Sequence, residues 1–185
     1  MPTTTSERYT SLAATIAAAE ADDEVGTIRG VAATYGVDIP RGPRLAERIA
    51  PGAFKAQVGA PNRVAVLWQH DWEEPIGRAT GFKDSPSQLE FTARISAHDD
   101  IPTARKALAL LREGVVDEIS VGFEWGTWHE EGTDDGLTIV HTKARLREFS
   151  VVTFGALGRA ARVQSVAAEG IAVEVYRRRL AGLTG

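Results

Sequence analysis

Apolar and polar residues alternate most regularly at Leu89, Phe91, Ala93 and Ile95, which are separated by Glu90, Thr92 and Arg94. A period of two marks a strand with one buried face. The same period runs through Ile119, Val121, Phe123 and Trp125, leaving Glu118, Ser120, Gly122 and Glu124 on the other side. Residues 26–35 and the run Val64-Ala65-Val66-Leu67-Trp68 read as further strands. A long strand is predicted over 137–153, after the polar turn Thr133-Asp134-Asp135-Gly136. Helical spacing appears at Ile101, Ala104, Leu108 and Leu111, with Pro102 opening the helix and Gly114 stopping it. Residues 6–20, alanine-rich with Ser6 as cap, read as a helix. So do 51–58 and 163–180, the last ending near Arg177-Arg178-Arg179. Residues 36–48 read as a loop, Glu74–Arg78 as a turn, and 155–162 as a loop of small residues.

Strands dominate and follow one another, with helices between or after them. The expected fold is mainly β with α, an antiparallel β-barrel surrounded by helices. The expected organisation is an N-terminal helical extension over 1–24, the barrel over 25–162 and a C-terminal helix over 163–185.

Composition narrows the function. Of 185 residues, 43% are hydrophobic and 25% charged, which supports a real core. The net charge of -4 argues against a nucleic-acid-binding surface. There is no cysteine, so disulfides, thiolate metal sites and cysteine nucleophiles are excluded. No apolar run approaches the roughly 20 residues needed to span a bilayer. The short alanine-rich stretch from Leu12 to Ala19 does not read as a secretory signal.

The chemistry centres on Ser120. A small hydroxyl on the lean face of a strand can be held rigidly and still be reached by a substrate. A serine nucleophile needs an imidazole to take its proton and a third group to hold that imidazole. His70, at the end of an apolar strand and before a turn, is suitably placed to be the base. The third group is Glu148 or His141. On strict alternation, His141, Lys143, Arg145 and Arg147 make a charged face toward water. Val140, Ala144, Leu146 and Val152 then make an apolar face that carries Glu148, with Ser150 beside it. An inward carboxylate is costly unless it is paired. An imidazole would pair it; so would an arginine such as Arg94 or Arg145. A bulge in this strand would reverse the argument.

Two acidic clusters, His70 to Glu74 and His98-Asp99-Asp100, lack metal-ligand spacing and read as solvated loops. No metal or other cofactor is called for. Trp68, Trp72, Trp125 and Trp128 read as core or rim residues, with a substrate groove as the alternative.

Four segments then stand in order: Pro51-Gly52-Ala53-Phe54, His70-Asp71 with Pro75-Ile76-Gly77, Ile119-Ser120-Val121-Gly122-Phe123, and Glu148-Phe149-Ser150-Val151-Val152. Together they resemble the prohead maturation proteases of HK97-type tailed phages, over about residues 26–160. That family is similar in fold to the herpesvirus assembly proteases. The resemblance implies a serine endopeptidase that cleaves scaffold and capsid-precursor segments, and itself, inside the immature capsid in the host cytoplasm. Its partners would be the major capsid protein precursor and its scaffolding segment, with room for a homodimer and none for nucleic acid or membrane. The alternative is a catalytically inactive capsid-assembly protein with the same barrel. By motif, Ser120 is the nucleophile, His70 the general base and Glu148 the third member. His141 stays as alternative, because the herpesvirus relatives use a second histidine. The family commonly follows the last strand with a Pro-Ala turn, where this chain has Gly155-Ala156. The oxyanion loop would then involve Gly155, Ala156 and Arg159.

Overall fold

The computed structural model describes residues 16–17, 21–22, 25–133 and 136–155. The strands in chain order are β1 (Ile16–Ala17), β2 (Ala21–Asp22), β3 (Val25–Thr34), β4 (Asp38–Gly42), β5 (Leu45–Ile49), β6 (Ala65–Trp68), β7 (Asp71–Asp84), β8 (Gln88–Ser96), β9 (Glu118–Thr133) and β10 (Gly136–Val152). Helix α1 (Lys55–Val58) follows β5, and α2 (Pro102–Arg112) lies between β8 and β9.

All ten strands join one sheet in the order β1-β3-β8-β7-β6-β10-β5-β4, with β2 also on β3 and β9 also on β10. The expected barrel is not formed. The sheet is open, and among the described residues its terminal strands do not pair with one another. Nor is it wholly antiparallel, because β10 runs parallel to both β5 and β6. The cause is the length of β10. Strand β9 covers one edge of it from end to end. On the other edge, β5 pairs with Leu137–His141 and β6 with Glu148–Val151. The sheet therefore forks at β10 instead of returning to its first strand.

Three local expectations also change. Residues 36–48 form the β4–β5 hairpin, in which Asp38 faces Arg48 and Ile39 faces Glu47. The turn expected at Glu74–Arg78 lies inside β7, and the chain reverses earlier, at Gln69-His70. Ile16–Ala17, inside the expected helix over 6–20, pairs with β3 as a strand, as does Ala21–Asp22 just past it. Their neighbour β3 supplies ladder partners that local propensity cannot anticipate. The remainder of that helix, the loop beyond Gly155 and the helix predicted over 163–180 lie outside the described residues.

The core lies against one side of β9 and the second half of β10. Ile119, Val121, Phe123, Phe149 and Val151 are buried there with Phe54, Phe91 and Ile95. Phe54 meets Phe123 edge-on at 5.5 Å between ring centres, and Phe91 meets Phe149 at 4.5 Å. Burying one such ring stabilises by about 1.5–3 kcal/mol. Helix α2 buries Ala104, Leu108 and Leu111, as expected from their spacing, together with Ala107. Strands β7 and β8 lie close together at Gly77, where a Cβ would overlap the carbonyl of Arg94.

Candidate active site

The site is built on the paired ends of β9 and β10. Ser120 lies opposite Ser150, and Glu148 opposite Gly122. Side chains directly opposed in a ladder share a face, roughly 5 Å apart. Ser120, Ser150 and Glu148 therefore stand on one side of the sheet, and Ile119, Val121, Phe149 and Val151 on the core side. Gly122 places no side chain beside the carboxylate.

Strict alternation is not what brings Glu148 there. Leu146 pairs with Phe123, yet Glu148 pairs with Gly122, so the register slips by one residue between them. The slip turns Glu148 from the side of Leu146 to the side of Ser120. A second slip, between His141 and Lys143, has the opposite consequence for His141. It is fully buried where alternation expects it in water. Its ring packs edge-on against Trp125 at 4.7 Å and Phe123 at 5.2 Å, with Glu47 at 3.8 Å. Seven residues of strand, roughly 20 Å, separate it from Glu148.

His70 comes from the other edge of β10. Strand β6 runs parallel to it, with Trp68 beside Val151, and then reverses into β7. Trp68 pairs with Asp71, which leaves Gln69 and His70 as a two-residue hairpin turn. Both have positive φ, 55° and 60°. That is the pattern of a type I′ turn, usually made by Asn-Gly. In residues with a Cβ it costs about 1–3 kcal/mol each. Contacts to β10 offset this cost. The Gln69 amide donates to the Val151 carbonyl at 3.0 Å, and the His70 amide donates to Ser150 Oγ at 3.1 Å. The Gln69 side chain is clasped to Thr153, its Nε2 donating to Oγ1 at 2.9 Å and its Oε1 accepting from the Thr153 amide at 3.3 Å.

The turn aims the imidazole along the sheet face. Nδ1 lies 2.8 Å from Glu148 Oε1, and Nε2 lies 2.6 Å from Ser120 Oγ. An ionised carboxylate can only accept, so the proton belongs on Nδ1 and the Nε2 lone pair faces the serine hydroxyl. The second carboxylate oxygen accepts from Ser150 Oγ at 2.7 Å. Glu148 is buried, 1% exposed, whereas the His70 side chain is 33% exposed. Ser120 has no exposed surface.

Of the residues read from the sequence, Ser120, His70 and Glu148 are brought into contact, and His141 is not. Gly155 lies just past β10, with its amide donating to the Glu118 carboxylate, while Ala156 and Arg159 lie outside the described residues. Gln69 and Thr153 are contributors that the sequence reading does not single out. The available signal was a hairpin turn without glycine, which implies outside support. Of the four tryptophans, Trp68 packs against the core, and the other three divide between two places. Trp125 packs against Trp128 beside His141, whereas Trp72 borders a cleft of about 570 Å³ with Arg63, Arg145 and Arg147. Among the described residues, no cluster of His, Asp and Glu could hold a metal ion.

Comparison with known proteins gives the chain a context. Residues 13–174 match the sequence profile of the caudovirus prohead serine proteases. Among solved structures, the chain is similar to the bacteriophage T4 capsid assembly protease gp21, with a TM-score of 0.52 and 12% identity over 77% of this chain and 98% of that one. At that identity the likeness concerns the fold. No curated protein matches.

Proposed function

Because the chain belongs to the caudovirus prohead serine protease family, and is thus a serine protease of phage capsid maturation, we propose that it acts through Ser120, His70 and Glu148. One observation carries this reading: an unbroken hydrogen-bonded line from the Ser120 hydroxyl through both nitrogens of His70 to Glu148.

In the proposed mechanism, His70 Nε2 takes the hydroxyl proton as Ser120 Oγ bonds to the scissile carbonyl carbon. Glu148 stabilises the imidazolium so formed and keeps Nδ1 protonated. The imidazolium then protonates the leaving amine, and an acyl group remains on Ser120. Water attacks that ester, with Nε2 taking its proton, and the serine is regenerated. The backbone after β10, starting at Gly155, would supply the oxyanion donors. For that, the Gly155 amide exchanges the Glu118 carboxylate for the developing oxyanion.

Family membership implies capsid and scaffold precursors as substrates and the immature capsid as workplace. The chain itself is a further proposed substrate, and a homodimer a proposed form. The test is the Ser120→Ala variant co-expressed with its capsid precursor. Loss of cleavage with an unchanged circular dichroism spectrum is expected. Full processing by this variant would overturn the assignment.

A further inference from the structure

We infer that Ser150 is a positioning residue of this site, its one hydroxyl fixing both the Glu148 carboxylate and the backbone that carries His70. The inference rests on the reading of Ser120, His70 and Glu148 as the reacting groups.

Ser150 is fully buried and uses its hydroxyl in two directions. It donates to Glu148 Oε2 at 2.7 Å and accepts from the His70 amide at 3.1 Å. The donated bond leaves Oε1 for the imidazole, so the carboxylate cannot rotate without losing a charge-assisted bond. The accepted bond meets a different need. Strand β6 parts from β10 after Trp68, and the last backbone bond between them is from Gln69 to Val151. The next amide, that of His70, belongs to a left-handed turn residue, and the ladders on either side give it no backbone acceptor. Ser150 Oγ supplies that acceptor.

Its position makes both bonds possible. Ser150 shares the sheet face of Glu148, two residues along the strand, and lies level with Leu67 on β6 and Ser120 on β9. An alanine there would leave the ladder intact and remove both bonds. An error of about 1 Å in a reacting group can cost about 100-fold in rate. Threonine, at home in a strand, would keep the hydroxyl.

The experiment uses the full chain and a fluorophosphonate that labels activated serines. Six forms are compared: unaltered, Ser150→Ala, Ser150→Thr, Ser120→Ala, Glu148→Gln and the Ser150→Ala/Glu148→Gln double variant. Ser150→Ala is expected to label about 10- to 100-fold more slowly, with an unchanged circular dichroism spectrum. Its downfield Nδ1 proton resonance from His70 should be lost or displaced. Ser150→Thr should restore most of the rate. A double variant with Glu148→Gln should lose less than the product of the two single losses, because both changes act on one carboxylate. Labelling of Ser150→Ala at the unaltered rate, or independent multiplication of the two losses, would overturn the inference. Ser120→Ala separates the two levels: if it still labels, the reading of the site itself fails. Should Ser150→Ala not fold, the Ser150→Thr form and its proton resonance decide. Retention of that resonance with a near-normal rate supports the positioning role, and its loss with an unaffected rate overturns it.

Discussion

Leu146 and Glu148 are two residues apart on β10 but point to opposite sides of the sheet, because the ladder with β9 slips by one residue between them. Leu146 faces Phe123 and joins the core, whereas Glu148 faces Gly122 and reaches His70. Without the slip, a buried carboxylate would point into the apolar cluster, and Ser120 and His70 would lack it.

This arrangement predicts a sharp contrast between the two residues considered for third member. Glu148→Gln offers an amide where His70 needs an acceptor and favours the wrong tautomer. Labelling of Ser120 by the fluorophosphonate should fall about 10³- to 10⁴-fold. His141→Phe fills similar space between Trp125 and Phe123, and its labelling rate should remain within about threefold of the unaltered protein. The reverse ranking would return His141 to the site.

The clasp between Gln69 and Thr153 restrains a turn that has no glycine. Two exposed neutral hydrogen bonds contribute about 1 kcal/mol each at most. Gln69→Ala should therefore slow labelling by no more than about tenfold and lower stability in urea titration by no more than about 2 kcal/mol. An unaffected rate would mean that Ser150 and the Val151 carbonyl hold the turn unaided.

Gly77 has a backbone role within its Pro-Ile-Gly segment. A methyl there would meet the Arg94 carbonyl, and backbone on both strands would have to shift. Gly77→Ala should lose about 1–3 kcal/mol of stability in urea titration. Gly59, which has open space around it, provides the comparison, and Gly59→Ala should change stability by less than about 0.5 kcal/mol.

Tyr35 ties the end of β3 to β7 by donating its hydroxyl to Asp84 at 2.8 Å. Burial, and then this carboxylate, push the phenol well above its ordinary range. The unfolded chain ionises near pH 10, whereas the folded one holds the proton, so this group's contribution falls as pH rises past 10. The slope is about 1.4 kcal/mol per pH unit. Tyr35→Phe removes that slope, and its stability deficit should narrow between pH 9 and 11 in urea titrations. A constant gap would show that Tyr35 ionises equally in both states.

The sequence by itself determined the parts whose signal is local. The alternation in β8 and the start of β9, the apolar spacing of α2 and the side of β9 that carries Ser120 are all legible there, because side-chain direction follows from backbone period. The ordered segments around His70, Ser120 and Glu148 also pointed to the chemistry. Only the tertiary structure decided the rest. A bulge leaves no mark in a hydrophobic pattern, since it is set by which residues of two strands meet. The pattern therefore placed Glu148 with Leu146 and His141 in water, and pairing with β9 altered both. The open sheet has the same origin: one long strand can take two parallel partners on one edge, and nothing in β5, β6 or β10 alone says so. The strained turn at Gln69-His70 is likewise not a local preference, because its support comes from Val151, Ser150 and Thr153, some eighty residues further along the chain.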